Sequence, residues 1–127
     1  MTISKFKGSR VDPLYFTCDS AIAARQLVVV TASTGKAAVA GIGDVANGFA
    51  VEDSHNGRVS VQLFRSVCGS FLLKVGSGGL TAGDRIKCGA SGTAVTASLP
   101  GDAATVLSIV YVKETGAAGA LVECYNL

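Results

Sequence analysis

Four cysteines, one histidine and nine carboxylates are the side chains of this 127-residue chain that could carry chemistry. Cys18, Cys68, Cys88 and Cys124 lie 50, 20 and 36 residues apart, which matches neither zinc-ligand spacing nor a Cys-x-x-Cys redox pair, so they read as buried free thiols. His55 has Cys18, Cys68, Asp44 and Asp53 available as nucleophile or orienting acid, yet no local signature marks any of them, and it reads as a solvated turn residue. Glu52 and Asp53 are adjacent on an expected strand, which directs them to opposite faces and separates them as an acid/base pair. Gly41-Ile-Gly-Asp-Val-Ala46 has the G-x-G-x-x-A spacing of a dinucleotide loop, but Asn47-Gly48 stops the helix that would aim its N-terminus at a pyrophosphate. Thr34-Gly35-Lys36 lacks the earlier glycine of a phosphate loop, which would fall at Val30, and has Ala37 where Ser or Thr is required. No catalytic residue, cofactor site or metal site is expected.

The elements available to position such groups are short strands. Phe49–Asp53 and Arg58–Phe64 alternate and are joined through Asn56-Gly57, the pair that a type I′ turn favours because both central residues need positive φ; Val59, Val61 and Leu63 then share one face. Further strands are predicted at Leu14–Thr17, Gln26–Thr31, Ala37–Ala40, Phe71–Val75, Arg85–Cys88, Thr93–Ala97, Val106–Val112 and Leu121–Tyr125, with Gly-rich connectors between them. Only Ser20–Arg25 could hold a helical turn. This pattern implies an all-β sandwich or barrel.

The chain also echoes itself. At an offset of 57 to 58 residues, Ala32, Ser33, Gly35, Ala37, Ala40, Gly43, Asp44 and Ala46 fall on Ala90, Ser91, Gly92, Ala94, Ala97, Gly101, Asp102 and Ala104. Upstream, Ile22–Val29 lies over Leu80–Lys87, and downstream Val51 lies over Ile109, so residues 22–51 and 80–109 are expected to be two related β-units.

Composition narrows the use of such a domain. Apolar residues make up 49% and charged residues only 16%, against about 25% in ordinary soluble domains, and the surplus is small: 18 alanines and 16 glycines. No window approaches the ~18 uncharged apolar residues of a membrane helix, and the first ten residues lack the apolar core of a secretory signal, so synthesis in the cytoplasm is expected. The net charge of +2 resides in residues 1–13, where Lys5, Lys7 and Arg10 precede Asp12. Eight aromatics without a tryptophan, not interleaved with basic clusters, argue against a nucleic-acid groove. The expected organisation is an N-terminal arm over 1–13 and a single β domain over 14–127, whose apolar surplus meets a partner.

The order Ala21-Ile-Ala-Ala-Arg-Gln-Leu-Val-Val-Val30, Gly41–Val51, Asn56-Gly-Arg-Val-Ser-Val-Gln-Leu-Phe64, Leu80-Thr-Ala-Gly-Asp-Arg-Ile86, Ser91-Gly-Thr-Ala-Val95 and Gly119-Ala-Leu-Val-Glu-Cys-Tyr125 resembles the capsid decoration (cement) proteins of tailed bacteriophages, in particular the small Ala/Gly/Val-rich head decoration proteins. The likeness covers residues 14 to 127 and is one of pattern and composition. It implies a compact β-sandwich or β-tulip domain on the outer surface of a virion, bound to the major capsid protein, commonly as a homotrimer and sometimes as a dimer, with no nucleic-acid or membrane partner. It further implies that the N-terminal arm, with Lys5, Lys7 and Arg10, contacts the shell. Two other readings stay open: a head-fibre base or tail component, and a small hydrolase or carbohydrate-binding β module using His55 or the exposed loops.

Overall fold

A computed structural model describes residues 13–67, 69–107 and 110–127. The chain is all-β, as expected. Among the described residues ten strands follow one another: β1 Leu14–Thr17, β2 Leu27–Thr31, β3 Lys36–Val39, β4 Gly48–Ala50, β5 Arg58–Leu63, β6 Ser70–Lys74, β7 Ile86–Cys88, β8 Ala94–Thr96, β9 Val110–Val112 and β10 Leu121–Asn126. Of the two forms the pattern allowed, sandwich or barrel, the first five strands take the barrel. They close in the order β1-β3-β2-β4-β5, with β1 running parallel to β3 at Thr17–Lys36 and antiparallel to β5. Closure leaves no open edge for a second chain to extend.

The second half repeats this connectivity. β6 pairs antiparallel with β10, β10 with β9, and β7 with β8. Single bridges then join β6 to β8 in parallel at Val75–Ala94 and β7 to β9 at Arg85–Tyr111. Each pairing has its counterpart in the first barrel, so the chain is built from two related β-units. Local devices recur at the same offset. The Gln26 side chain accepts the Ala23 N–H at 2.8 Å, and Asp84 accepts that of Thr81 at 2.9 Å. Asp44 accepts the Gly41 N–H and Asp102 that of Ser98, at 2.8 and 2.7 Å. Arg25 (φ 70°) occupies the left-handed position that Gly83 (φ 92°) fills in the second unit, and both donate to the next-but-two strand, Ala50 and Val112, at 2.8 Å. A left-handed arginine is costly for an L-residue, and the shared turn holds it there.

Two cores result from the alternation of side chains along the strands. Ile22, Val28, Ala37, Ala50, Val59 and Val61 fill the first barrel. A larger cluster runs from Leu27, Ala40, Phe49 and Phe64 on the outside of that barrel into Phe71, Leu73, Val75, Ile86, Val110, Val112 and Val122 of the second unit. Its centre is a phenylalanine trio: Phe49 stacks on Phe71 at 5.1 Å between centroids, and Phe64 lies 5.5 Å from Phe71 and 6.0 Å from Phe49. Hydrogen bonds seal the seam, from Gly92 N–H to Ala40 O (2.9 Å), Gln26 Nε2 to Ser91 O (2.9 Å) and Asn126 Nδ2 to Phe64 O (2.6 Å). The two units therefore form one body.

The Asn56-Gly57 turn has φ of 52° and 72°, positive at both positions as the type I′ reading requires. Three expectations change in detail. Ser20–Arg25 forms only a turn, while a short 3₁₀ segment occurs at Ala90–Gly92. The strand expected over Val106–Val112 begins at Val110, because Val106 N–H turns back to Asp102 O (2.9 Å). β4 ends at Ala50 rather than Asp53: the chain bends at Val51–Glu52 while the Asp53 carboxylate takes the Ala24 N–H at 2.8 Å. Glu52 and Asp53 thus do not alternate across a sheet. They line one cavity together.

Candidate docking surface

The mouth of the first barrel is an apolar concavity. Val61 lies opposite Leu14, so β1 enters at the end of the barrel where β5 finishes, and Phe16, Val30 and Leu63 present apolar groups there. Two loops complete the wall: Val45, Ala46 and Asn47 between β3 and β4, and Val106 and Leu107 between β8 and β9. The resulting groove encloses about 570 Å³. Asn47 holds its rim, its side-chain oxygen accepting the Val30 N–H at 2.7 Å and its carbonyl accepting the Phe64 N–H at 3.0 Å.

These loops are counterparts in the two units, and each is pinned by the aspartate that caps it. Gly43, at φ 91°, allows the Gly41–Asp44 turn, which leaves Ile42 80% exposed; the Ser98–Asp102 turn leaves Leu99 half exposed. Leu14 and Val45 are also half exposed, and Val45 lines the groove. Large aliphatics held out by rigid turns are costly in water and suit contact with another surface.

Three ion pairs lie on this body among the described residues. Lys87 bridges Asp102 at 2.9 Å, Lys36 bridges Asp19 at 3.1 Å and Lys113 bridges Glu123 at 3.3 Å. The Ser98 N–H, then Lys87, holds the Asp102 carboxyl below its ordinary value, and the Ser70 hydroxyl, then Lys113, does the same for Glu123. Burial pushes the Cys88 thiol up and that of Cys124 up to about 12. Both are packed as small hydrophobes, and with Cys18 they are free thiols.

The structure locates the sequence-derived candidates as follows. Lys5, Lys7 and Arg10 lie outside the described residues, as do Cys68 and Ile109. His55 is exposed beside the hairpin turn, its backbone exchanging bonds with Arg58, and it shares a cavity with Glu52 and Asp53. Gly41–Ala46 is a loop with no helix behind it, and Lys36 of the Thr34-Gly35-Lys36 run pairs with Asp19. Among the described residues no three His, Cys, Asp or Glu side chains converge as metal ligands, and no helix is long and apolar enough to cross a membrane. The barrel mouth itself was invisible in the sequence, since its lining comes from six separate segments. Its one readable signal was the paired Gly-Asp loops.

Fold and surface together define a class: an all-β protein with a five-stranded closed barrel, a second unit of like connectivity, and exposed aliphatics on pinned loops. No family model and no curated protein matches the chain. Among solved structures it is similar to the head fiber gp8.5 N base of bacteriophage phi29, with a TM-score of 0.69 and 22% sequence identity over 90% of this chain and 92% of that one. The shared fold spans both β-units.

Proposed function

We propose that this chain is a structural protein of a tailed-bacteriophage head, attached as an oligomer to the outer surface of the shell. The observation that carries this reading is the fold held in common, over nearly its whole length, with a phage head fibre base. The resemblance of the sequence to head decoration proteins points to the same location independently. A body with an apolar groove and several exposed aliphatics suits attachment in many copies, where contact area rather than catalysis does the work. In the finer reading the protein cements the expanded head against internal pressure, as a homotrimer with Lys5, Lys7 and Arg10 reaching the major capsid protein. A second reading, favoured by the structural comparison, makes it the base on which a fibre stands.

One experiment separates these. Purified protein is added to expanded heads lacking it, and binding is followed by co-sedimentation and by the temperature at which heads release DNA. Binding with a raised release temperature supports cementing; binding without it supports a fibre base; no binding overturns the proposal. Deletion through Arg10 is expected to leave the β domain folded and to weaken attachment, and equal decoration by the truncated chain removes the arm from the account.

A further inference from the structure

The outer face of the first barrel carries a second concavity, of about 400 Å³, lined by Tyr15, Glu52, Asp53, His55, Arg58 and Ser60. β1 and β5 place Tyr15 directly beside Ser60, and the bend after β4 folds Glu52 and Asp53 over them. Ser60 is 3% exposed, the one buried polar residue among the described residues, and it lines this cavity. A hydroxyl at such a position can both donate to and accept from a molecule in the cavity. Glu52 and Arg58 have no ion-pair partner among the described residues, and Tyr15 is 65% exposed.

The second unit acts as an internal control. There Leu72 and Glu123 occupy the positions of Tyr15 and Ser60, and Glu114 that of Glu52. These groups satisfy one another: Ser70 and Lys113 bind the Glu123 carboxylate, and Glu114 accepts the Glu123 N–H at 3.0 Å. The polar groups at this place are thus paired with one another in one copy, whereas in the other Glu52 and Arg58 stand beside an exposed ring without ion-pair partners among the described residues.

We infer that this cavity binds a pyranose sugar of a glycan. Two carboxylates with an arginine and a histidine favour a neutral ligand over a phosphate or a bare cation, and they offer both acceptors and donors to hydroxyl pairs. The Tyr15 ring supplies a flat apolar face for the C–H side of the sugar, and the Ser60 hydroxyl offers it a donor and an acceptor. This inference does not rest on the head-protein reading, because the isolated chain tests it.

Isotope-labelled full-length protein is titrated with the methyl glycosides of glucose, galactose, mannose and N-acetylglucosamine, following backbone amide shifts. At least one sugar is expected to move the amides of Tyr15, Glu52, His55, Arg58 and Ser60 saturably, with a roughly millimolar Kd typical of weak single-ring binding. Tyr15→Ala, at an exposed position that the fold does not need, is expected to raise Kd at least tenfold, while Leu72→Ala at the counterpart position leaves it unchanged. The inference is overturned if none of the four sugars shifts these amides at about ten times a millimolar Kd, or if the shifts survive Tyr15→Ala in a protein whose spectrum remains dispersed.

Discussion

Truncating Phe71 to alanine tests whether the two β-units stand or fall together. Phe71 is buried at the seam, stacked on Phe49 at 5.1 Å and 5.5 Å from Phe64, and its strand is fixed by the Phe71–Cys124 pairing. Losing such a side chain removes its burial and leaves a cavity that two anchored ladders cannot collapse, a cost of about 4 kcal/mol, within which the ring pair itself contributes roughly 1 kcal/mol. Against a total stability of about 5–15 kcal/mol this is a large share, and for a domain of this size it lowers Tm by roughly 15 °C. With no tryptophan present, urea unfolding is followed by far-ultraviolet circular dichroism and tyrosine fluorescence. The wild type is expected to unfold in one transition seen identically by both probes, and Phe71→Leu is expected to lose only about 1 kcal/mol because volume is nearly kept. The argument for a shared core fails if Phe71→Ala costs less than about 1 kcal/mol, or if the wild type unfolds in two separate steps.

Three further outcomes follow from the same geometry. Gly92→Ala forces a side chain onto a residue at φ 71°, with its Cβ 2.9 Å from both Gln26 Cβ and Val39 Cγ1, so a loss of about 2–4 kcal/mol is expected in the same unfolding assay. Asp102 and Glu123 titrate below their ordinary values when folded, so the stability they contribute is full above the carboxylate range near pH 4 and disappears as pH falls through their folded values; Asp102→Asn should flatten that acid limb of a Tm-against-pH curve. Cys88 and Cys124 are held protonated by burial, so at about pH 8 a thiol reagent should modify them only as fast as the protein unfolds, and stability should decline as pH rises from the ordinary thiol value toward the folded value of about 12 for Cys124.

Much of this architecture could be read from residue order because short strands with strong turn signals are local objects. Asn56-Gly57 specifies its turn through positive φ, and Val59 and Val61 then face inward by alternation alone. At 57 to 58 residues the capping aspartates and the left-handed position of Arg25 and Gly83 recur because they are fixed by backbone geometry, whereas further on the register shifts and Ala50 corresponds to Val112. What escaped the sequence depends on closure and on bends. The parallel contact of Thr17 with Lys36 and the seam at Phe49, Phe64 and Phe71 join segments far apart in the chain, which no local pattern encodes. The cavity at Tyr15 and Ser60 was hidden because an alternation rule assigned Glu52 and Asp53 to opposite faces, whereas the strand had already ended at Ala50.

The central claim is attachment to the outside of a phage head, and imaging tests it most directly. Electron microscopy of the phage particles in which the proposal places this chain, assembled with and without it, is predicted to show symmetric outer density that vanishes when the chain is absent and into which the two β-units fit. Identical shells in both preparations, or density confined to the tail or the interior, would contradict the account.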